Sequence, residues 1–360
     1  MQQQVLLGTL AIGAGVVVGV ALFIPFVIIS YRTRGRLSAR RLLVSFTALV
    51  YFCAIWTYTL LPLPAPEAII CSGTNLNPLA FVDDIAGALA RPGTTLTDPA
   101  VLQLVLNVAL FAPLGFFLRV LAGRRILAAV LMGLAVSALI EATQLTGVWG
   151  LYPCAYRVFD VDDLLTNTTG AALGSLAALI VPARLVRPRS DADADAPRPV
   201  TRVRRLLAIL CDGIGHVIVA FVVAVGVRAG LIYGLQDDKL ALGPLPGVVG
   251  GVTAALIWLV LILVSGQSVG DFAVQLRYSG SPLPRPIAHT LRALGGVTGY
   301  ALLSLLPDPL SLSANVLAIV SLVLVFTTRD ARGLPGVLSG QQLSDAREQH
   351  AASTASGERS

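Results

Sequence analysis

Ile126-Leu-Ala-Ala-Val-Leu-Met-Gly-Leu-Ala-Val-Ser-Ala-Leu-Ile-Glu141-Ala-Thr-Gln144-Leu145 decides the fold. Its apolar residues are continuous rather than alternating, and fifteen positions pass before the first charge. A run of about 20 apolar residues spans ~30 Å of hydrocarbon as a helix. In lipid only helices and closed barrels satisfy the backbone, and a barrel strand needs alternation. The stretch therefore reads as a transmembrane helix carrying Glu141 and Gln144 in its last turns.

Working outward, similar runs recur over 5–30, 42–61, 101–121 and 164–186, then over 206–233, 247–264, 291–306 and 310–326. The last two are short, are joined by Pro307-Asp-Pro309, and read either as two spans or as one broken unit. With 55% hydrophobic and 13% charged residues, the chain is an all-α polytopic membrane protein. The runs give about nine transmembrane helices in two helical bundles (5 + 4). Residues 1–186 form the first domain, 187–200 a low-complexity cytoplasmic linker, 201–340 the second domain, and 341–360 a polar, disordered tail. Met1-Gln-Gln-Gln4 lacks the basic start of a secretory signal, so the first run reads as a retained helix. The long loop over 63–100 has an interfacial helix predicted over 79–90.

Charge placement orients the bundle. With the N-terminus outside and the C-terminus cytoplasmic, about 22 of the 26 basic residues fall in cytoplasmic segments, as the positive-inside rule requires. The net charge of +6 is thus a record of topology, not a signal for nucleic acid. The chain is expected to cross a plasma membrane several times, with the lipid bilayer as its immediate partner.

This orientation puts a polar cluster on the outer rim. Asn107 lies near the outer end of the third helix, four residues from Gln103. Glu141 and Gln144 end the fourth. The connection Arg157-Val-Phe-Asp160-Val-Asp162-Asp163-Leu-Leu-Thr-Asn167-Thr-Thr-Gly170 opens the fifth. Asp160, Asp163, Asn167, Gly170 and Gly174 recur at three- and four-residue spacing, one helical face. Charges at a membrane persist mainly where they face a bundle interior, a cavity or a partner. The candidate ligand residues are Asn107, Glu141, Gln144, Arg157, Asp160, Asp162, Asp163 and Asn167. The same residue types serve interhelical bonding, and both readings stay open. Oxygen-rich clusters also suit hard cations, so metal is unknown and metal-assisted hydrolysis is one reading. No serine has an evident base beside it and no histidine precedes His216, so nucleophilic catalysis has little support and no cofactor is expected. Cys71 and Cys154 both lie in outer loops and form a candidate disulfide.

In the second half, Arg205, Asp212 and His216 project from one side of a helix and are the transport candidate. They read as a proton or ligand relay, or as a self-satisfied Arg–Asp pair that locks packing.

Taken in order, Asn77-Pro78, Asn107-Val-Ala-Leu-Phe-Ala-Pro113-Leu-Gly115, Glu141-x-x-Gln144 and Arg157-x-x-Asp160-x-Asp-Asp163-x-x-x-Asn167-Thr-x-Gly170-x-x-x-Gly174 resemble the VanZ-like family over residues 42–186. That resemblance implies a cell-envelope role linked to glycopeptide-antibiotic resistance, with a cell-wall precursor or glycopeptide-type compound as ligand, and supplies no reaction. Arg205, Asp212, the segment Gly266–Arg277 and Arg332–Gly340 are similar to the RDD family over 200–340. Pro335-Gly336 stands where that family usually has His-Asp. The second resemblance implies a small-solute or ion transporter.

Overall fold

The computed structural model describes residues 2–65, 67, 69–90, 98–182 and 196–348. The chain is an all-α polytopic membrane protein, and its described residues include two pairs of very short strands beside the helices. It forms two compact units, Met1–Gly19 with Ser38–Arg189, and Val20–Leu37 with Ser190–Ser360. Helix α1 (Gln2–Arg34) contributes to both, whereas the sequence assigned its whole length to the first domain.

The first unit continues with α2 (Ala39–Leu60), β1 (Thr74–Asn75), α3 (Ala80–Ala90), α4 (Pro99–Ala122), α5 (Ile126–Leu145), β2 (Phe159–Asp160) and α6 (Val161–Ala177). Helix α4 starts sharply because Asp98 Oδ1 accepts from Ala100 N at 3.1 Å and Pro99 takes the first turn. Gly123, in the left-handed region at φ 64°, closes it.

Helix α6 is the axis of this unit, packed against α4 and α5. A Cβ on Gly174 would lie 1.6 Å from Ala112 O, and one on Gly115 1.7 Å from Ala171 O. The α4 and α6 backbones therefore touch, which only glycine permits. Around the pair, Ile55, Phe111, Leu114, Val136 and Ile140 form a small core. Large apolar side chains such as Val105, Leu106, Leu127 and Leu131 remain exposed, as they must where the solvent is lipid. Arg119 in the last turn of α4 donates from Nη1 to Ser175 O at 2.8 Å, satisfying a carbonyl near the end of α6.

The second unit contains α7 (Arg202–Ala229), α8 (Leu245–Ser265), α9 (Val269–Ala273), β3 (Leu276–Ser279), α10 (Arg285–Leu294), α11 (Val297–Ser304), α12 (Leu312–Thr327), α13 (Gly333–Ser339) and β4 (Gln342–Asp345). Strands β3 and β4 are antiparallel, with Leu276 opposite Asp345 and Ser279 opposite Gln342. Val27, Tyr31, Ala208, Cys211, Val274, Leu276, Tyr278 and Leu343 pack together as its core.

Among the described residues six helices are long and apolar enough to cross a membrane: Leu6–Arg34, Ala39–Leu60, Pro99–Ala122, Ile126–Leu145, Arg202–Leu235 and Leu245–Ser265. The other expected spans are shorter. Helix α6 ends at Ala177 and continues as a 3-10 turn to Ile180; the rest of that run, 183–186, lies outside the described residues. The run over 291–306 is divided between α10 and α11 at Gly295-Gly296, and α12 has 16 residues. The division has a packing cause: a Cβ on Gly295 would lie 3.0 Å from Pro335 Cα, so α13 sits against the break.

Two further expectations are corrected. Residues 341–348 are not a loose tail, because β4 pairs with β3 and the Asp345 carboxylate is fully buried. Residues 196–200, expected in the linker, are held as well: Arg198 N donates to Asp345 Oδ2 at 3.0 Å. The remainder of the linker, 187–195, and of the tail, 349–360, lies outside the described residues.

Candidate functional site

The acidic connection of the first unit gathers residues 71–81 of the segment that follows α2. Cys71 and Cys154 are disulfide-bonded, with Cα atoms 5.5 Å apart. Beyond the bond, Ser72 N donates to Ala155 O at 2.9 Å, and β1 runs parallel to β2 with Asn75 beside Asp160.

Each acid then takes a separate partner. Asp160 is the N-cap of α6, its Oδ1 accepting from Asp162 N at 2.9 Å, and Asn75 Nδ2 lies 3.3 Å from both its oxygens. Asp162 reaches across to the start of α3, accepting from Leu79 N at 2.7 Å and Phe81 N at 2.9 Å. These bonds hold Leu79 at φ 70°, a conformation disfavoured for a side chain of that size. Glu141 Oε2 accepts from Asp160 N at 3.2 Å, fixing the turn from behind. Asp163 differs, because its Oδ1 accepts from the Asn107 side chain at 2.6 Å, with Gln103 Nε2 at 3.5 Å.

Asp160, Asp162, Asp163 and Asn107 line one cavity of about 90 Å³ together with Asn75, Asp84, Gln103 and Thr166. The other sequence candidates lie elsewhere. Gln144 donates to Thr59 O at 2.8 Å, Asn167 donates to Ser137 Oγ at 2.9 Å, and Arg157 Nη2 lies 3.5 Å from Leu61 O. Glu141 stands one residue behind the cavity. Asn75 and Asp84 were missed, and only the loop's return onto the acidic connection brings them in. Among the described residues no group of three or more His, Cys, Asp or Glu side chains is placed to hold a metal ion. The carboxylates diverge onto different donors, so metal-assisted hydrolysis finds no support in this geometry.

The second unit buries charge differently. Arg205 Nη1 pairs with Asp271 Oδ1 at 2.7 Å, and Arg292 Nη2 pairs with Asp271 Oδ2. The expected Arg205–Asp212 pair is not formed. Asp212 instead accepts from Trp258 Nε1 at 2.9 Å, Ser268 Oγ at 2.7 Å and Gly270 N at 2.8 Å. His216 does not reach it, since its ring stands edge-on to the Trp258 indole at 5.9 Å. The transport candidates thus divide: Arg205 and Asp212 line a common cavity, and His216 does not.

Burial alone would raise the Asp271 carboxyl, but Arg205 and Arg292 outweigh it and hold the group below its ordinary range. Burial likewise opposes ionisation at Asp345. There hydrogen bonds from Arg347 and Arg204 prevail and bring the carboxyl down to about 2. Arg204 is buried with its guanidinium donating to Val274 O, Gln275 O, Arg198 O and Asp345 Oδ2.

Comparison with known families resolves the first unit. Residues 46–182 match the VanZ/LLP1 family model. The VanZ family is associated with teicoplanin resistance, which supports a cell-envelope membrane role for this protein. The VanZ/LLP1 match runs from within α2 to just past α6 and therefore includes every residue of the cavity just described. It ends before the second unit's helices, and no comparison shows an RDD domain in residues 200–340. No curated protein and no solved structure matches the chain.

Proposed function

We propose that the VanZ-like unit binds a cell-wall precursor or glycopeptide-type compound at the outer face of a bacterial plasma membrane. One observation carries this reading. Asp160 and Asp162 are occupied by backbone N–H groups, which makes them architectural. Asp163 is held only by side-chain amides and lines an open cavity. A carboxylate oriented by Asn107 and flanked by Gln103, Asp84 and Thr166 suits a ligand group rich in N–H or O–H donors, such as an amine, amide or sugar hydroxyl. A cavity of about 90 Å³ admits one such group and leaves the rest of a larger ligand at the surface.

The outward orientation is supported by the arginine distribution and by a disulfide three residues before β1, which suits an oxidising compartment.

The test is susceptibility of cells to teicoplanin-type compounds with Asp163→Asn or Asn107→Ala at unchanged protein abundance. A severalfold change relative to the parent chain is expected for both. Asp160→Asn, which weakens the turn, gives a change of the same direction. Unchanged susceptibility with Asp163→Asn overturns the assignment.

A further inference from the structure

The second unit holds a cavity of about 190 Å³, lined at one end by Arg205, Asp212, Asp271 and Arg292. The remaining lining is mainly apolar and includes Ile262, Tyr300 and Leu317. Nothing in the VanZ/LLP1 match bears on it, since that match ends at residue 182.

The polar end is balanced in charge, two guanidinium groups against two carboxylates. Its acceptors are supplied. Both Asp271 oxygens take arginine donors, and Asp212 takes three. What remains unmet is a donor: Arg205 Nε is buried and has no hydrogen-bond acceptor, in a residue only 5% exposed. A buried unpaired donor is unfavourable and is relieved by any group that brings an acceptor. A net charge on that group would unbalance the cluster in a low-dielectric setting. The apolar remainder favours a body of hydrocarbon character, and apolar cavities of ~150 Å³ take up a benzene-sized molecule.

We propose that this cavity binds an uncharged amphiphile: a ring-sized or chain-end apolar body with one carbonyl or ether oxygen that accepts from Arg205 Nε–H. The bound oxygen completes the arginine's hydrogen bonding, and the apolar part fills the space beside Ile262, Tyr300 and Leu317. This site is separate in sequence and in chemistry from the outer cavity of the first unit, and the two assignments stand or fall independently.

Trp258 reports on it, because its indole N–H is bonded to Asp212 at the polar end. In the full-length chain with Trp56→Phe and Trp149→Phe, Trp258 is the only tryptophan left of three. Three bromine-bearing quenchers of similar size are titrated into the protein in lipid nanodiscs: 4-bromoacetophenone, bromobenzene and protonated 4-bromobenzylamine. Saturable quenching by the ketone is expected, at concentrations at least tenfold below those needed for the other two. Ala318→Phe, an exposed lining residue whose change narrows the cavity, should abolish the saturable part without unfolding the protein. Arg205→Lys, where it folds, should erase the preference for the ketone over bromobenzene. Equal, non-saturable quenching by all three compounds, or ketone quenching untouched by Ala318→Phe, would overturn the proposal.

Discussion

Two interfaces within this chain bury polar groups near hydrocarbon and satisfy them differently. Between α4 and α6 the backbones touch through Gly115, Gly170 and Gly174, and the polar side chains above them bond mostly to backbone groups. Between α7, α9 and α10 a glycine approach recurs, a Cβ on Gly270 lying 1.9 Å from Ala208 O, but the polar groups there are arginines and aspartates that pair with each other, with Asp271 shared by Arg205 and Arg292. The first arrangement leaves one carboxylate, Asp163, for a cavity; the second leaves one donor, Arg205 Nε. In the first, one carboxylate is left without a backbone donor; in the second, both acids are used internally and one buried N–H goes unmet.

The comparison breaks most visibly at the glycines. Gly174→Leu places a side chain where Ala112 O already lies at 1.6 Å, so the first unit should fail to assemble, well beyond the ~1–3 kcal/mol of ordinary overpacking. Gly213→Ala, with nothing within 4 Å, should leave thermal unfolding of the purified protein unchanged or slightly improved. In the second unit the sensitive position is Asp271. Asp271→Asn strands two buried guanidinium groups and should cost ~3–5 kcal/mol, read as a lowered midpoint in detergent-solubilised unfolding.

A smaller effect distinguishes the units by redox condition. Cys71→Ser, or reduction of the bond to Cys154, releases a loop closed across 83 residues and should destabilise by ~2–5 kcal/mol. The second unit, whose one cysteine, Cys211, is free, should by contrast be indifferent to reductant. The smallest effect is the acid limb of Asp345. Its folded-state carboxyl sits at about 2 against an ordinary 3.8, so the unfolded chain binds this proton first as pH falls. The stability it contributes is complete above about pH 4 and is lost as pH drops toward 2. In Asp345→Asn that limb of the pH–stability curve should vanish.

The helices of this fold are written plainly in the sequence, because each continuous apolar run bounded by arginine or proline has one stable form in lipid. The face shared by Asp160, Asp163, Asn167, Gly170 and Gly174 follows from spacing alone. The strand pairs are invisible beforehand: β1 and β2 have two residues each, and their pairing depends on a contact 85 positions away in the chain. The partner of Arg205 escaped for the same reason, since Asp271 lies 66 residues on in a segment with no apolar period. The run 291–306 reads as one apolar stretch, and only the approach of Pro335 at Gly295 shows why it divides. Within the outer site, the sequence placed the acids together but could not show that two of them bond to backbone N–H groups.

The claim on which the functional reading rests is that the Asp163–Asn107 cavity opens to the exterior. Asp84 lines that cavity and is exposed, so it reports access directly. With Cys53→Ser and Cys211→Ser removing the free thiols, Asp84→Cys is treated in intact cells with a membrane-impermeant maleimide. Labelling without permeabilisation is the predicted result; labelling only after the membrane is opened would contradict the account.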